Sequence, residues 1–268
     1  MSDINVLFIG EIVGKAGVFC VKNMLPDLKK EYGVNFVIAN GEGATGGFGL
    51  GKNHSVYLHK LGIDVITSGE RIYYKKDMVS HIKKSPYILR PVNYPREDPG
   101  YGWKIYEYDK RKIAVINVLG VSGFKRVHLE NPMLILPDLI DHISKQTNYI
   151  IIDFHAATTA EKSTLFYFLD GKVSAVIGTH TRALTADERV MSGGTAVITD
   201  AGRTGSMNSV GGLDSEIEIR KLMTQVHEYS KDTWGDIELQ GVVLKLNEQG
   251  RASAITRLRI PYREGKNG

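Results

Sequence analysis

Cysteine is nearly missing: Cys20 is the single one in 268 residues. No internal disulfide can form, and a reducing cytoplasm is the expected compartment. Without a histidine close by, Cys20 reads as a small buried apolar residue. Long hydrophobic runs are also missing, since none approaches the ~20 residues a membrane span needs. The opening Met1-Ser2-Asp3-Ile4-Asn5 has no basic region followed by an apolar segment, so a signal peptide is not expected. Charge of one sign is scarce as well: the net +4 is small and scattered, which gives no general argument for nucleic acid. No linker is long or irregular enough to divide the chain. One domain over residues 1–268 is expected, with a polar tail from about Arg263 that frays.

What is present is ordinary for a soluble globular protein, 42% hydrophobic and 24% charged. Val6-Leu7-Phe8-Ile9-Gly10 is a continuous apolar run that reads as a buried parallel strand. Gly14 and Gly17 are expected to break the chain into a loop, and Val18 to Tyr32 has a helical pattern with Lys29-Lys30 at its end. Phe36 to Ala39 and Asp64 to Thr67 read as further strands, His54 to Leu61 and Tyr73 to Lys84 as helices. The first ninety residues therefore read as three β-α units, whose strands end in Gly10-Glu11, Gly41-Glu42 and Gly69-Glu70. Trp103 to Tyr108 and Lys112 to Leu119 alternate like a hairpin around Asp109-Lys110. Pro132 to Lys145 reads as a helix.

Two later runs carry imidazoles. Tyr149-Ile150-Ile151-Ile152 leads into Asp153-Phe154-His155, and Val173 to Ile177 leads into Gly178-Thr179-His180-Thr181-Arg182. Thr195 to Thr199 is another strand, ending in Asp200. Gly202 to Gly212 reads as a glycine-rich loop, Ser215 to Thr224 as a helix, and Glu238 to Leu246 with Ala252 to Ile260 as a closing β pair. Ligands of open α/β sheets bind beyond the strand ends. Glu11, Glu42, Glu70, Asp153, His155, His180 and Asp200 all stand there. Carboxylates and imidazoles converging from separate loops suit a divalent metal, and they suit core packing of satisfied histidines as well.

The order of these motifs is similar to the calcineurin-like metallophosphoesterases, and it most resembles their bacterial YmdB-like branch. The stretches that carry the likeness are Phe8 to Gly14, Asn40-Gly41-Glu42-Gly43, Thr67 to Arg71, Asp153-Phe154-His155-Ala156 and Gly178 to Arg182, with Arg90 to Pro95 and Ile198 to Gly202. It runs from Ile4 to about Ile260. The resemblance implies a four-layer α/β/β/α sandwich of two mixed sheets, a two-metal centre at one edge, and hydrolysis of phosphodiesters such as 2′,3′-cyclic nucleotides.

The site residues depart from that pattern. Glu11 stands for the family's first Asp, Gly43 for an Asn ligand, and Glu70 for the Asn of the third motif. Arg71 stands for the His credited with helping the leaving group depart, and Arg182 for a second His. Ala157 stands where family members often carry Glu. Only Glu42, His155 and His180 match. By position, the first metal would be left with Glu11, Glu42, Gly43 and Arg182. Glycine has no side-chain ligand, and arginine is a permanent cation without a lone pair. The second would have Glu42, Glu70, His155 and His180, a set that suits one Mn, Fe or Zn ion.

Three facing carboxylates need counter-charge. The expectation is that Arg182 pairs with Glu11 and Glu42, while Arg71 or Arg203 balances Glu70. No metal cofactor is then needed. The chain is expected to act as a pseudoenzyme that binds a protein partner or a phosphorylated ligand, with a one-metal phosphodiesterase as the alternative. Homo-oligomers are open, and membrane insertion is not expected. A third reading, a nucleic-acid module, rests on Tyr73-Tyr74-Lys75-Lys76 with Lys83-Lys84 and Tyr87, which is more often a solvated surface. Gly46 to Gly51 lacks the lysine and hydroxyl of a P-loop and reads as a wall of the site. Thr158 or Thr159 is expected to cap a helix, and His54, His59, His81, His128, His142 and His227 to lie on surfaces.

Overall fold

The computed structural model describes residues 3–124 and 129–264. His128 and the last four residues of the tail lie outside them. The chain starts with strand β1 (Ile4–Ile9), the two-residue β2 (Glu11–Ile12) and helix α1 (Gly14–Glu31). Next come β3 (Phe36–Asn40), α2 (Lys52–Lys60), β4 (Val65–Thr67) and α3 (Lys76–Ile82). A hairpin of β5 (Trp103–Tyr108) and β6 (Arg111–Leu119) leads to α4 (Pro132–Ser144), β7 (Tyr149–His155) and α5 (Thr159–Leu169). Then follow β8 (Ala175–Thr179), β9 (Arg189–Val190), β10 (Ala196–Ile198), β11 (Arg203–Ser206) and α6 (Ser215–Thr224). The long pair β12 (Ile237–Leu246) and β13 (Ala252–Pro261) closes the fold.

Two mixed sheets face each other. The first has seven strands, ordered β2-β11-β12-β1-β3-β4 with β13 on β12, and the second has six, ordered β5-β6-β7-β8-β10-β9. Period-two alternation on β1 explains why its run is apolar throughout. Val6 and Phe8 point into the core between the sheets, where Ile113, Val115, Ile151 and Ile177 meet them. Leu7 and Ile9 point the other way, onto Val21, Leu25 and Leu28 of α1. On the far side Leu136 and Ile140 of α4 and Phe166 of α5 cover Ile150, Ile152 and Val176. Helices thus flank both sheets, and the four-layer α/β/β/α sandwich is the fold observed. The hairpin turns at Asp109 (φ 43°) and Lys110 (φ 64°), two left-handed residues as a tight two-residue hairpin requires.

Some boundaries differ from expectation. Gly14 and Gly17 belong to α1 and do not form a loop. At Gly17 the helix presses so closely on the Thr204 carbonyl that a side chain would collide, so the glycine serves close approach. The expected loop over Gly202 to Gly212 contains β11, which pairs with both β2 and β12. Helix α3 begins at Lys76 rather than Tyr73, because the Arg71 amide is drawn to the Glu42 carboxylate and the Tyr73 hydroxyl donates to Pro99. Thr158 caps α5 by accepting from the Glu161 amide. Cys20 is fully buried, and burial pushes its thiol up to about 12.

Gly178, within β8, lies against the Thr199 carbonyl, so an added methyl would collide with backbone. Gly178→Ala is expected to cost about 1–3 kcal/mol. Urea unfolding should show a lower midpoint with an unchanged slope.

Candidate functional site

Parallel strands of both sheets end at the same edge of the sandwich, and the expected residues leave them there. Glu11 follows β1, Glu42 follows β3, Glu70 follows β4, His155 is the last residue of β7, and His180 follows β8. With Arg71 and Arg182 they line one pocket of about 330 Å³. Asp153 and Asp200 do not line it. Asp153 lies fully buried under the site, where Thr67, Thr179 and Asn40 all donate to it. Asp200 turns inward to an ion pair with Lys162, 2.9 Å away, both side chains being fully buried.

Glu70, His155 and His180 form a triangle. Glu70 Oε2 is 3.1 Å from His155 Nε2, His180 Nδ1 is 3.1 Å from His155 Nε2, and Glu70 Oε2 is 3.8 Å from His180 Nδ1. The orientation of His155 comes from beneath. The Thr179 hydroxyl donates to Asp153 Oδ1 at 2.7 Å, so its oxygen accepts from His155 Nδ1 at 2.9 Å. Nε2 therefore faces the pocket. Gly69 leaves room for the ring, which any larger residue would strike.

Burial alone would lower the His155 pKa, but its hydrogen bond and charge interaction with Glu70 raise it to about 9. Burial would likewise raise Glu70, and His155, Arg71 and His180 hold it at about 2. His180 falls to about 4 through burial and the neighbouring His155 cation. In this arrangement an imidazolium at His155 pairs with the Glu70 carboxylate, and His180 stays neutral.

Backbone strain accompanies this. His180 has φ 100° and Arg182 has φ 59°, both unusual for residues with a Cβ. The loop between them is pinned by Asp200, whose Oδ2 accepts from the Thr181 amide at 2.9 Å and whose Oδ1 accepts from the Gly202 amide at 2.9 Å. Arg203 contributes too, donating to the Arg182 carbonyl at 2.9 Å and to the carbonyls of Ser206 and Met207. It does not balance Glu70, contrary to one expectation. Carrying Arg203 on β11 commits its guanidinium to nearby backbone oxygens, and Arg71 Nε takes Glu70 Oε1 at 3.0 Å.

Arg182 is the other centre of the pocket. Its Nε and Nη2 donate to Glu11 Oε1 at 2.9 and 2.6 Å. Nη1 donates to Gly211 and Nη2 also to Gly47, each at 2.9 Å. A Cβ at Gly43 would sit 2.9 Å from Glu11 Oε1 and 3.0 Å from Arg182 Nη2, so the arginine occupies the space a side chain there would need. Glu42 is held differently from expectation. Its carboxylate accepts from the backbone amides of Gly69, at 2.7 Å, and Arg71, while Arg182 reaches it only through space. Burial raises the Glu42 pKa to about 8, and Glu70 adds to the rise.

Some participants carried no sequence signal. Phe124 lies 5.0 Å from the His180 ring and 6.3 Å from that of His155. Phe48, from the expected glycine-rich wall, lies under the Arg71 guanidinium at 4.9 Å. Glu218 and Lys221 of α6 reach the pocket rim. Lys162, fully buried against Asp200, is another. Conversely, Tyr73 packs on Tyr94 and Tyr87 stacks on His59, so of the three aromatics in the basic-aromatic stretch Tyr74 is the exposed one, beside exposed Lys76, Lys83 and Lys84. His59, His142 and His227 are exposed, whereas His54 and His81 are half-buried.

Ligand chemistry can be tested against these positions. A tetrahedral Zn-type ion with bonds of about 2.0–2.2 Å needs donors about 3.3–3.6 Å apart. The Glu70-His155-His180 triangle, with separations of 3.1, 3.1 and 3.8 Å, comes close to these spacings and could hold one ion. The Glu11-Glu42-Gly43-Arg182 corner does not fit a second, because a guanidinium stands in it.

Residues 7–258 match the family model described as YmdB-like protein. The chain is 39% identical over 256 residues to a 2′,3′-cyclic-nucleotide 2′-phosphodiesterase of Bacillus subtilis (strain 168), covering 95% of this chain and 96% of that one. Among solved structures, a novel phosphatase from Mycoplasma pneumoniae superposes with a TM-score of 0.91 at 31% identity, covering 97% of this chain and 95% of that one. A hypothetical protein from Thermus thermophilus does so with 0.90 at 30% identity, covering 97% and 100%.

Removing the guanidinium leaves the buried Glu11 carboxylate uncompensated. Arg182→Ala is expected to lose about 3–5 kcal/mol of stability, and Glu11→Gln in the same chain should recover most of it. Chemical denaturation of the two variants measures both.

Proposed function

This chain belongs to the YmdB-like family of calcineurin-like metallophosphoesterases, and on that premise we propose that it keeps the phosphoesterase scaffold for binding rather than for two-metal hydrolysis. The observation that carries this reading is Arg182, bonded to Glu11 within 2.6 Å where the dinuclear pattern calls for a metal ligand. Around it the crevice balances its charge from its own chain. Arg71 and His155 neutralise Glu70, Lys221 neutralises Glu218, and Glu42 is held by two amides with its pKa raised. Three carboxylates that would otherwise demand divalent ions no longer do.

The ligand class follows from what remains accessible. Arg71 and Lys221 line the pocket with Phe48, and both side chains stay partly exposed while paired with Glu70 and Glu218. Guanidinium and ammonium groups hold a phosphoryl group, so a phosphorylated ligand, or a protein partner presenting anionic side chains, suits this crevice. Arg71 replaces the family's leaving-group histidine, and a guanidinium holds its protons too tightly to serve as a general acid. General acid help of ~10²–10⁴-fold is thereby forgone. Among the described residues no helix is long and apolar enough to cross a membrane, and a cytoplasmic location is part of the proposal.

A second reading rests on the donor triangle. Glu70, His155 and His180, with Glu42 beside them, would hold one Mn, Fe or Zn ion. Such an ion supplies Lewis-acid polarisation of a phosphoryl oxygen. His155 would present Nε2 to it, since Nδ1 is committed to Thr179. This alternative is a one-metal phosphodiesterase of the 2′,3′-cyclic-nucleotide type.

Metal analysis of the purified protein, with assays on a generic phosphodiester and a 2′,3′-cyclic nucleotide, separates the readings. The binding reading expects no stoichiometric metal and no turnover. Stoichiometric metal with turnover abolished by His155→Ala would overturn it. Reversion supplies a further check. Gly43→Asn, Glu70→Asn, Arg71→His and Arg182→His combined are expected to bind divalent metal. Gly43→Asn alone should destabilise by about 1–3 kcal/mol through its clash with Arg182, and combining it with Arg182→His should relieve that cost in a double-mutant cycle.

A further inference from the structure

One buried guanidinium has no carboxylate to meet it. Arg90 is 5% exposed, and it forms no ion pair among the described residues. Its Nη1 donates to the Pro91 carbonyl at 2.8 Å, and Nη2 to the carbonyls of Pro95 and Asp98 at 3.2 and 3.4 Å. Nε is buried without any partner. Backbone dipoles alone thus face a charge whose removal from water is costly. Arg90 lines a cavity of about 480 Å³ that shares no residue with the candidate site.

Three parts of the chain build the walls. The loop after Arg90 is fixed at Val92, whose amide donates to the Asn117 carbonyl of β6. Arg90 itself ties the carbonyls of Pro95 and Asp98, on either side of Arg96. Trp103 opens β5, and its ring meets His142 of α4 edge-on, with centroids 5.9 Å apart. Helix α4 adds Leu134, Asp138 and Leu139, spaced i, i+4, i+5 and so set on one face. Leu134 is 75% exposed. A lone exposed leucine needs no explanation, but this one edges a cavity whose walls are otherwise Trp103, Val92 and Leu139.

The charges select the occupant. Arg96, Glu130 and Asp138 line the cavity, are exposed, and form no ion pair among the described residues. Two arginines against two carboxylates leave the cavity neutral while offering both signs. A phosphate dianion would meet both carboxylates as well as both arginines. A ligand that itself carries one charge of each sign is complementary to such a lining. An ammonium and a carboxylate beside an apolar group are the parts of an α-amino acid.

We propose that this cavity binds a free α-amino acid with a large apolar side chain. Its carboxylate pairs with Arg96, at the end of the cavity that also holds the uncompensated charge of Arg90. Its ammonium group pairs with Glu130 and Asp138, and its side chain packs among Trp103, Leu134 and Leu139.

Titration of the full chain with L-phenylalanine and with L-leucine tests this by calorimetry. The chain has two tryptophans, so in a Trp234→Phe variant the fluorescence of Trp103 reports the cavity alone. Saturable one-to-one binding that changes Trp103 emission is expected. 3-Phenylpropionate lacks the ammonium group and phenylalanine amide lacks the carboxylate, and each should bind at least about 10-fold more weakly than phenylalanine. Arg96→Ala and Asp138→Ala, both at exposed positions and so compatible with an unchanged circular-dichroism spectrum, should each raise the dissociation constant about 10-fold. His155→Ala, in the other pocket, should leave it unchanged. Absence of saturable binding by either amino acid overturns the proposal. So does 3-phenylpropionate or inorganic phosphate binding as tightly as phenylalanine. Binding that survives Arg96→Ala and Asp138→Ala combined, or that His155→Ala abolishes, overturns it as well.

Discussion

A carboxylate taken out of water must be met by positive charge or keep its proton, and this requirement governs the edge of the sandwich where the strands end. Glu11 is almost entirely buried, and Arg182 meets it with two donors on one oxygen. The same guanidinium ties the loops bearing Gly47 and Gly211 to the site. One side chain thus closes a charge and joins three loops. Gly43 belongs to this arrangement, since a Cβ there would press on both Glu11 Oε1 and Arg182 Nη2. The two departures from the family pattern are one steric unit.

Holding that unit takes a second buried pair. Asp200 and Lys162, both fully enclosed, anchor the Thr181 amide between two residues of positive φ. Breaking a buried pair is costly because one charge is left alone, so the anchor resists relaxation of the strained loop. Arg203 adds a bond to the Arg182 carbonyl from β11. The loop that displays His180 and Arg182 is therefore positioned from below by charge and from the side by a strand.

On the other half of the pocket, His155 is oriented by Thr179 and Asp153, the kind of support that a metal-ligating imidazole has. The triangle with Glu70 and His180 closes at separations that suit one ion. Yet Glu70 also accepts from the His155 imidazolium and from Arg71. An ion would compete with both the proton and the guanidinium. The chemistry of the pocket turns on that competition.

The sandwich was legible in sequence because continuous apolar runs that end in glycine and carboxylate mark buried parallel strands, and their order carried the family likeness. Glu42, Glu70, His155 and His180 were legible for the same reason: each ends a strand or lies within three residues of a strand end, so backbone geometry delivers it to the common edge. Gly17 and the β11 segment were not, because a glycine that permits close packing has the same local signature as one that opens a loop. The division of partners was not legible either. Arg71, Arg182 and Arg203 are identical in type, and only side-chain direction decides that the first takes Glu70, the second Glu11 and the third backbone oxygens. Likewise Asp200 and Glu11 both follow strands, but the tertiary fold points one at Lys162 and the other at Arg182. The sequence by itself determined which chemical groups reach the edge of the sheets, since strand period and strand ends are local. Which charge meets which was decided only by tertiary structure, because ion pairing depends on distances between residues as far apart in the chain as Glu11 and Arg182.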